Sequence, residues 1–196
     1  MELLDKAMLF AIERHSGQRR KLQNTPYILH PMEVVSIVGT MTDDQETLAA
    51  SVLHDTVEDA GVTFDDIEDR FGKRVALLVM TETENKREER PPSETWHIRK
   101  EETLIILAHT KDIAVKMMWL GDKLSNMRSF YREYLKKGND LWLDFNQTDP
   151  IEQAWYYRTI AKCLPELQEF DAYKEYVRLT EIVFETVKEN KEYEIF

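Results

Sequence analysis

A single cysteine, Cys163, in 196 residues excludes an intramolecular disulfide and a multi-thiolate metal site. No segment approaches the roughly 18 consecutive apolar residues of a membrane span. The opening Met1-Glu2-Leu3-Leu4-Asp5 has neither a basic n-region nor a long apolar run, so no signal peptide is expected and the cytoplasm is the expected compartment. Positive charge is in deficit. A formal net charge of −11 argues against a general nucleic-acid or anionic-membrane surface, because phosphates are repelled at long range. A small anionic substrate remains open, since it needs only a local basic cluster or a metal. Strand-type alternation, internal repeats and low-complexity tracts are also lacking.

What is present is helical periodicity. Hydrophobic content of 42% with 32% charged residues is that of a soluble globular protein, and the length suits one domain, or one domain with a helical extension. Leu3, Leu4, Ala7, Met8 and Ala11 predict an amphipathic first helix ending near Ser16-Gly17. A basic loop follows, Arg19-Arg20-Lys21-Leu22-Gln23-Asn24-Thr25-Pro26. Pro31 suits the first turn of a second helix. Asp43 or Asp44 can cap a third, which carries His54 and Asp55. Thr63 caps a helix that stops at Gly72, and 73–80 forms another. Residues 84–96 are polar and broken by Pro91-Pro92, which predicts a connecting loop or a lid. Helices are expected over 97–109, 112–135, 150–164 and 170–189. The fold class is all-α.

Chemistry concentrates in Leu53-His54-Asp55-Thr56-Val57-Glu58-Asp59. On one continuous helix Glu58 lies over His54 and Asp59 over Asp55, with Leu53 and Val57 facing the core. Three carboxylates and an imidazole on one face repel, and a cation relieves the repulsion. The segment alone is equally consistent with a solvated acidic face. A second polar stripe, Asp122, Asn126 and Ser129, recurs at helical spacing among Met117, Met118, Leu120, Leu124 and Met127, and a polar stripe in such surroundings needs partners. Asp122 joined to His54 and Asp55 makes three ligands, and His30 would be a fourth. Oxygen ligands with imidazole suit Mn²⁺, Fe²⁺ or Zn²⁺ rather than a thiophilic metal.

In chain order, Gly17-Gln18-Arg19-Arg20-Lys21, Pro26-Tyr27-Ile28-Leu29-His30-Pro31, Leu53 to Asp59, Phe71-Gly72 and Gly121-Asp122-Lys123-Leu124-Ser125-Asn126-Met127-Arg128 resemble the HD-domain metal-dependent phosphohydrolases. Within these they are most similar to the hydrolase domain of Rel/Spo stringent-response proteins and to the small alarmone hydrolases. The resemblance covers roughly residues 1–130, with helices over 150–189 expected to complete one HD-type bundle spanning 1–196. It implies one divalent metal, usually Mn²⁺, held by His30, His54, Asp55 and Asp122. It implies removal of the 3′-pyrophosphate from guanosine tetra- or pentaphosphate by a metal-activated water. Glu58 and Asp59 match the acidic pair that serves that water. Arg20, Lys21 and Asn126 match nucleotide contacts, and Lys86 a phosphate-contacting lysine.

The chain departs from the family at Leu22-Gln23, where a small polar residue and glycine are usual, and at Gly121, where alanine is usual. Ser129 stands where threonine is common. These departures leave the ligands intact and bear on the base pocket. Trp96, His97 and Gln153-Ala154-Trp155-Tyr156-Tyr157 can close over a base or simply pack the core. Two other readings stay open: an HD phosphatase acting on another nucleotide such as a nucleoside 5′-monophosphate, and an alarmone-binding sensor without turnover.

Overall fold

The computed structural model describes residues 1–87 and 89–188. Glu88, within the 84–96 connection, and the expected helix end at 189 lie outside the described residues. Among the described residues every regular element is helical, and an isolated antiparallel bridge joins Arg19 to Pro26.

Local chemistry explains the first half. Helix α1 (Leu3–Arg14) starts with a reciprocal box between Glu2 and Asp5 and buries Ala7, Phe10 and Ala11. The bridge and the Arg20 N–H to Thr25 carbonyl bond fold the basic loop back on itself, with Asn24 in the left-handed region. Helix α2 (Leu29–Val38) carries Pro31 in its first turn. Asp44 caps α3 (Gln45–Leu53) by accepting from the Thr47 N–H at 2.9 Å. Every residue of α3 from Thr47 to Leu53 is buried, so α3 is the central helix. It packs against α1, α2, α6 (Lys73–Glu82) and α8 (Ile113–Lys137). Thr63 and Asp66 box the start of α5 (Phe64–Phe71), and Gly72 at φ +93° ends it.

The helix expected to carry His54 and Asp55 is interrupted. It stops at Leu53, passes through His54-Asp55 as a turn and restarts as the short α4 (Thr56–Asp59). Side chains compete for the carbonyls there: His54 Nδ1 bonds the Ser51 carbonyl at 2.8 Å and Thr56 Oγ1 donates to the Leu53 carbonyl at 2.7 Å. The Asp59 N–H still bonds the Asp55 carbonyl at 2.9 Å, so that pair keeps its helical spacing across the break.

Helix α6 runs past the expected residue 80 to Glu82. Helix α7 (Pro92–His109) begins ahead of the expected residue 97. Its proline is its first residue, where a missing N–H costs nothing, so Pro91-Pro92 starts the helix instead of breaking it. The connection expected over 84–96 thus runs over 83–91. Helix α8 is capped by Asp112 and ends at Gly138 (φ +57°). Helix α9 (Pro150–Cys163) lies on α7, and α10 (Asp171–Val183) lies along α8. Helix α10 ends at Val183, the last helical residue among the described ones.

Candidate metal centre

The predicted ligands converge from separate elements. His30 comes from the first turn of α2, His54 and Asp55 from the turn after α3, and Asp122 from the buried middle of α8. Ligand atoms of His30, His54 and Asp122 all lie within 4.8 Å of one another. His30 Nε2 is 3.1 Å from Asp122 Oδ1, and His54 Nε2 is 3.9 Å from the same oxygen. Asp55 Oδ2 stands 3.0 Å from His54 Nε2 and 3.5 Å from His30 Nε2.

Both rings are held by their outer nitrogen: His54 Nδ1 by the Ser51 carbonyl and His30 Nδ1 by Ser125 Oγ, each at 2.8 Å. When neutral, each ring therefore turns a bare Nε2 lone pair inward, as metal-binding histidines do. His54 Nε2 is sealed from solvent yet makes no hydrogen bond despite its short approach to Asp55. An inward lone pair without a donor, beside carboxylate oxygens, fits a divalent cation of the Mn²⁺, Fe²⁺ or Zn²⁺ kind. Outer contacts hold the carboxylates too: Tyr27 Oη donates to Asp55 Oδ2 at 2.5 Å, and Asn126 Nδ2 to Asp122 Oδ1 at 2.7 Å. Lys123 Nζ covers the other oxygen of Asp122 at 2.5 Å.

Electrostatics agree with a site shaped for positive charge. Burial works against the His54 imidazolium, but Asp55, Glu82 and Asp122 outweigh it and raise its pKa to about 10. Burial dominates at His30 and lowers its pKa. Burial likewise opposes ionisation of Asp55 and Asp122, yet His54 and Lys123 respectively hold these groups below the usual carboxylate range. Glu58 is raised by burial and by the Asp55 charge, and Glu82 is pushed by burial up to about 8.

The remaining predicted residues divide by position. Glu58 lines the metal cavity, of about 180 Å³, together with Arg20 and Asn126. Asp59 is exposed at the rim, where its Oδ1 accepts from Lys86 Nζ at 2.7 Å. Lys86 also donates to the Glu58 carbonyl at 3.0 Å and lines a neighbouring groove with Glu58, so it sits behind the acidic pair. Arg20 Nη2 donates to Asn126 Oδ1 at 3.0 Å.

Lys21 lines a second cleft, of about 250 Å³, with Trp96, Phe145, Gln153, Tyr156 and Tyr157. Trp96, Gln153, Tyr156 and Tyr157, from α7 and α9, are buried and also wall this cleft. His97 does not join that wall; it pairs with Glu152 at 2.7 Å and stacks on Trp155. Arg20, Lys100, Lys123 and Asn126 line both cavities and form the seam between them.

Sequence reasoning missed Tyr27, Glu82, Lys100 and Lys123, and gave Ser125 no role. Lys123 adjoins a predicted ligand, which was a usable signal. Glu82 falls beyond the apolar run 75–80, where periodicity is silent.

Residues 7–146 match the family described as HD domain. The guanosine-3′,5′-bis(diphosphate) 3′-pyrophosphohydrolase of Aquifex aeolicus is 36% identical over 138 residues, which is 69% of this chain and 19% of that protein. A GTP pyrophosphokinase rsh of Brucella abortus is 35% identical over 130 residues, 65% of this chain and 17% of that protein. The chain therefore spans about a fifth or less of the length of these curated relatives. A crystal structure from Listeria monocytogenes superposes with a TM-score of 0.68 at 30% identity, covering 80% of this chain and 99% of that one. A metazoan SpoT orthologue that hydrolyses ppGpp has the same fold, with a TM-score of 0.68 at 24% identity over 95% of this chain and 96% of its own. By a match over residues 7–146, which covers most of its length, this chain belongs to the HD domain family.

Proposed function

We propose that this protein is a divalent-metal-dependent phosphohydrolase of the Rel/Spo type, acting in the cytoplasm as a single domain over residues 1–196. It removes the 3′-pyrophosphate from guanosine 3′,5′-bis(diphosphate) or its pentaphosphate form, releasing pyrophosphate with GDP or GTP. Mn²⁺ is the ion we assign to His30, His54, Asp55 and Asp122. One observation carries the reading. The metal cavity adjoins an aromatic cleft across a shared basic seam, Arg20, Lys100 and Lys123. That arrangement suits a ligand with a phosphoryl group at one end, further anionic charge in the middle and a planar base at the other.

The ion, when bound, supplies Lewis acidity that lowers the pKa of water and polarises a phosphoryl oxygen. The chain's residues do the rest. Glu58, whose raised pKa brings it towards the working range of a general base, takes the proton of the attacking water. The new P–O bond forms as the bond between phosphorus and the 3′ oxygen breaks, and that oxygen leaves as the 3′ hydroxyl with a proton taken from solvent, to which Glu58 in turn releases its own. Asp59 and Lys86, bonded to each other, fix the rim behind Glu58. Arg20 neutralises phosphate and offers a guanidinium plane for a purine. Asn126 ties Arg20 to Asp122 and so couples the base side to the metal side. Lys21, beside Phe145, faces the distal part of the ligand.

The testing assay incubates the Mn²⁺-loaded protein with guanosine tetra- and pentaphosphate, GMP and deoxynucleoside monophosphates. Pyrophosphate and GDP or GTP are the expected products. Phosphate from the monophosphates with none from the alarmones would assign another HD phosphatase activity. Tight alarmone binding without product would make the protein a sensor.

A further inference from the structure

Two carboxylates of the metal cavity have no part in the proposed hydrolysis: Glu84, which is paired with Arg99 and Lys100, and Glu82, which is not paired. Glu82 is the last residue of α6, half-buried as a residue, but both of its carboxylate oxygens are sealed from solvent and neither has a hydrogen-bond partner. Its side chain lines the cavity of His30, His54, Asp55 and Asp122. A buried carboxylate left without donors is expensive, and natural interiors rarely keep one. The local fold does not favour it either, because a carboxylate at a helix C-terminus opposes the helix dipole. Its charged neighbours are His54, Asp122, Lys123 and Asp55, and none of them hydrogen-bonds to it.

The same cavity holds a second orphan, His54 Nε2. Two buried groups around one space, His54 Nε2 and the Glu82 carboxylate, lack a hydrogen-bond partner, and the polypeptide supplies none. His30, His54 and Asp122 have ligand atoms within 4.8 Å of one another, Asp55 Oδ2 stands 3.0 Å from His54 Nε2, and Glu82 is not part of that group. A carboxylate that lines the cavity without belonging to that group is open to the water around a bound ion.

We propose that Glu82 is a positioning residue of the metal centre, accepting hydrogen bonds from the water that hydrates the bound divalent ion. It gives the site an outer carboxylate besides Glu58, approaching from α6 rather than from the turn after His54. It lowers the net charge of the occupied site by one and holds the hydrating water in a fixed orientation. The inference rests on the metal reading but not on the identity of the nucleotide.

The test measures Mn²⁺ binding and hydration without any nucleotide. Wild type, Glu82→Gln and Glu82→Met are compared by titration calorimetry, by Mn²⁺ electron paramagnetic resonance and by water-proton relaxivity, with circular dichroism as the folding check. We expect wild type to bind one ion. Both variants should bind at least tenfold more weakly, with an altered resonance line shape and relaxivity. Glu82→Met should melt at a higher temperature than wild type when metal-free, since an apolar side chain replaces an undonated buried acid. Folded variants that bind Mn²⁺ with wild-type affinity, line shape and relaxivity would overturn the proposal and leave the metal centre standing. Failure of wild type to bind any divalent ion would overturn both. Loss of binding in Glu82→Gln alone, with Glu82→Met like wild type, would also overturn it, because the effect would then belong to the introduced amide.

Discussion

The hydroxyl of Ser125 lies 2.8 Å from His30 Nδ1 and donates its single proton to Glu33 Oε2 at 2.7 Å. Having spent that proton, it can only accept from His30, so Nδ1 carries hydrogen and Nε2 presents its lone pair to the site. Arg128 anchors Glu33 at 3.1 Å and is itself gripped by Glu175 of α10 at 2.7 Å. The tautomer of a metal ligand is thus set by a chain of contacts reaching the C-terminal helix. Ser125→Ala should weaken divalent-metal affinity by about tenfold or more, the usual cost of losing an outer partner of a ligating histidine. Equilibrium dialysis against Mn²⁺ checks it, and an affinity equal to wild type would show that the ring needs no such support.

Metal binding should depend steeply on pH. In the metal-free site His54 is raised from its ordinary value of 6.5 to about 10, so near neutrality it is protonated and must lose that proton to become a ligand. The sign follows: below pH 10 protons compete with metal, and apparent affinity rises with pH. About tenfold per pH unit is expected between pH 6.5 and 8.5, with roughly one proton released per ion. Calorimetry in buffers of different ionisation enthalpy measures the proton count. A pH-independent affinity with no proton release would remove the imidazolium from the metal-free site.

Glu58→Gln keeps the size and burial of the side chain and removes its basicity. Turnover should fall by about a hundredfold or more. Mn²⁺ affinity should hold within a few-fold, because the Glu58 carboxylate, unlike that of Glu82, already has protein partners in the Glu84 N–H at 3.3 Å and Lys86 Nζ at 3.5 Å. Single-turnover assays on the loaded variant separate the two effects. A variant as fast as wild type would transfer the proton-accepting role elsewhere, with Glu82 the next carboxylate in the cavity.

Legibility of this chain in its sequence followed the range of the interactions involved. The caps at Asp44 and Thr63 and the glycine stops at Gly72 and Gly138 are local chemistry and could be read directly. His30, His54, Asp55 and Asp122 were legible as candidates because residue type and chain order together are specific. The break at His54 was not, since it arises when two side chains take carbonyls the helix would have used. Pro92 was read with the wrong sign: the same missing N–H that breaks a helix interior starts a helix at its first turn. The seam of Lys100 and Lys123 depends on α7 and α8 both facing Tyr156 of α9, a relation between helices that no single-helix periodicity contains.

Gly121 shows how one departure from the family's usual alanine is accommodated. A Cβ at this position would come within 2.7 Å of Val38 Cγ2 and 3.3 Å of Val34 Cγ1, so α2 and α8 approach too closely here for a side chain. Val38 is fully buried and β-branched, and its rotamer has little freedom to retreat. Alanine would improve helix propensity by about 1 kcal/mol, while overpacking a filled core costs about 1–3 kcal/mol. The clash should win, with Gly121→Ala destabilising by about 1 kcal/mol in urea unfolding. Because Asp122 is the next residue, the displaced backbone should also loosen metal binding. Val38→Ala alone should destabilise by opening a cavity, and the methyl introduced by Gly121→Ala should refill it in the double variant. A double-mutant cycle should therefore show favourable coupling above about 0.5 kcal/mol. Additive effects at the two positions would mean that α2 and α8 can separate freely, and that the glycine is not what lets His30 and Asp122 meet.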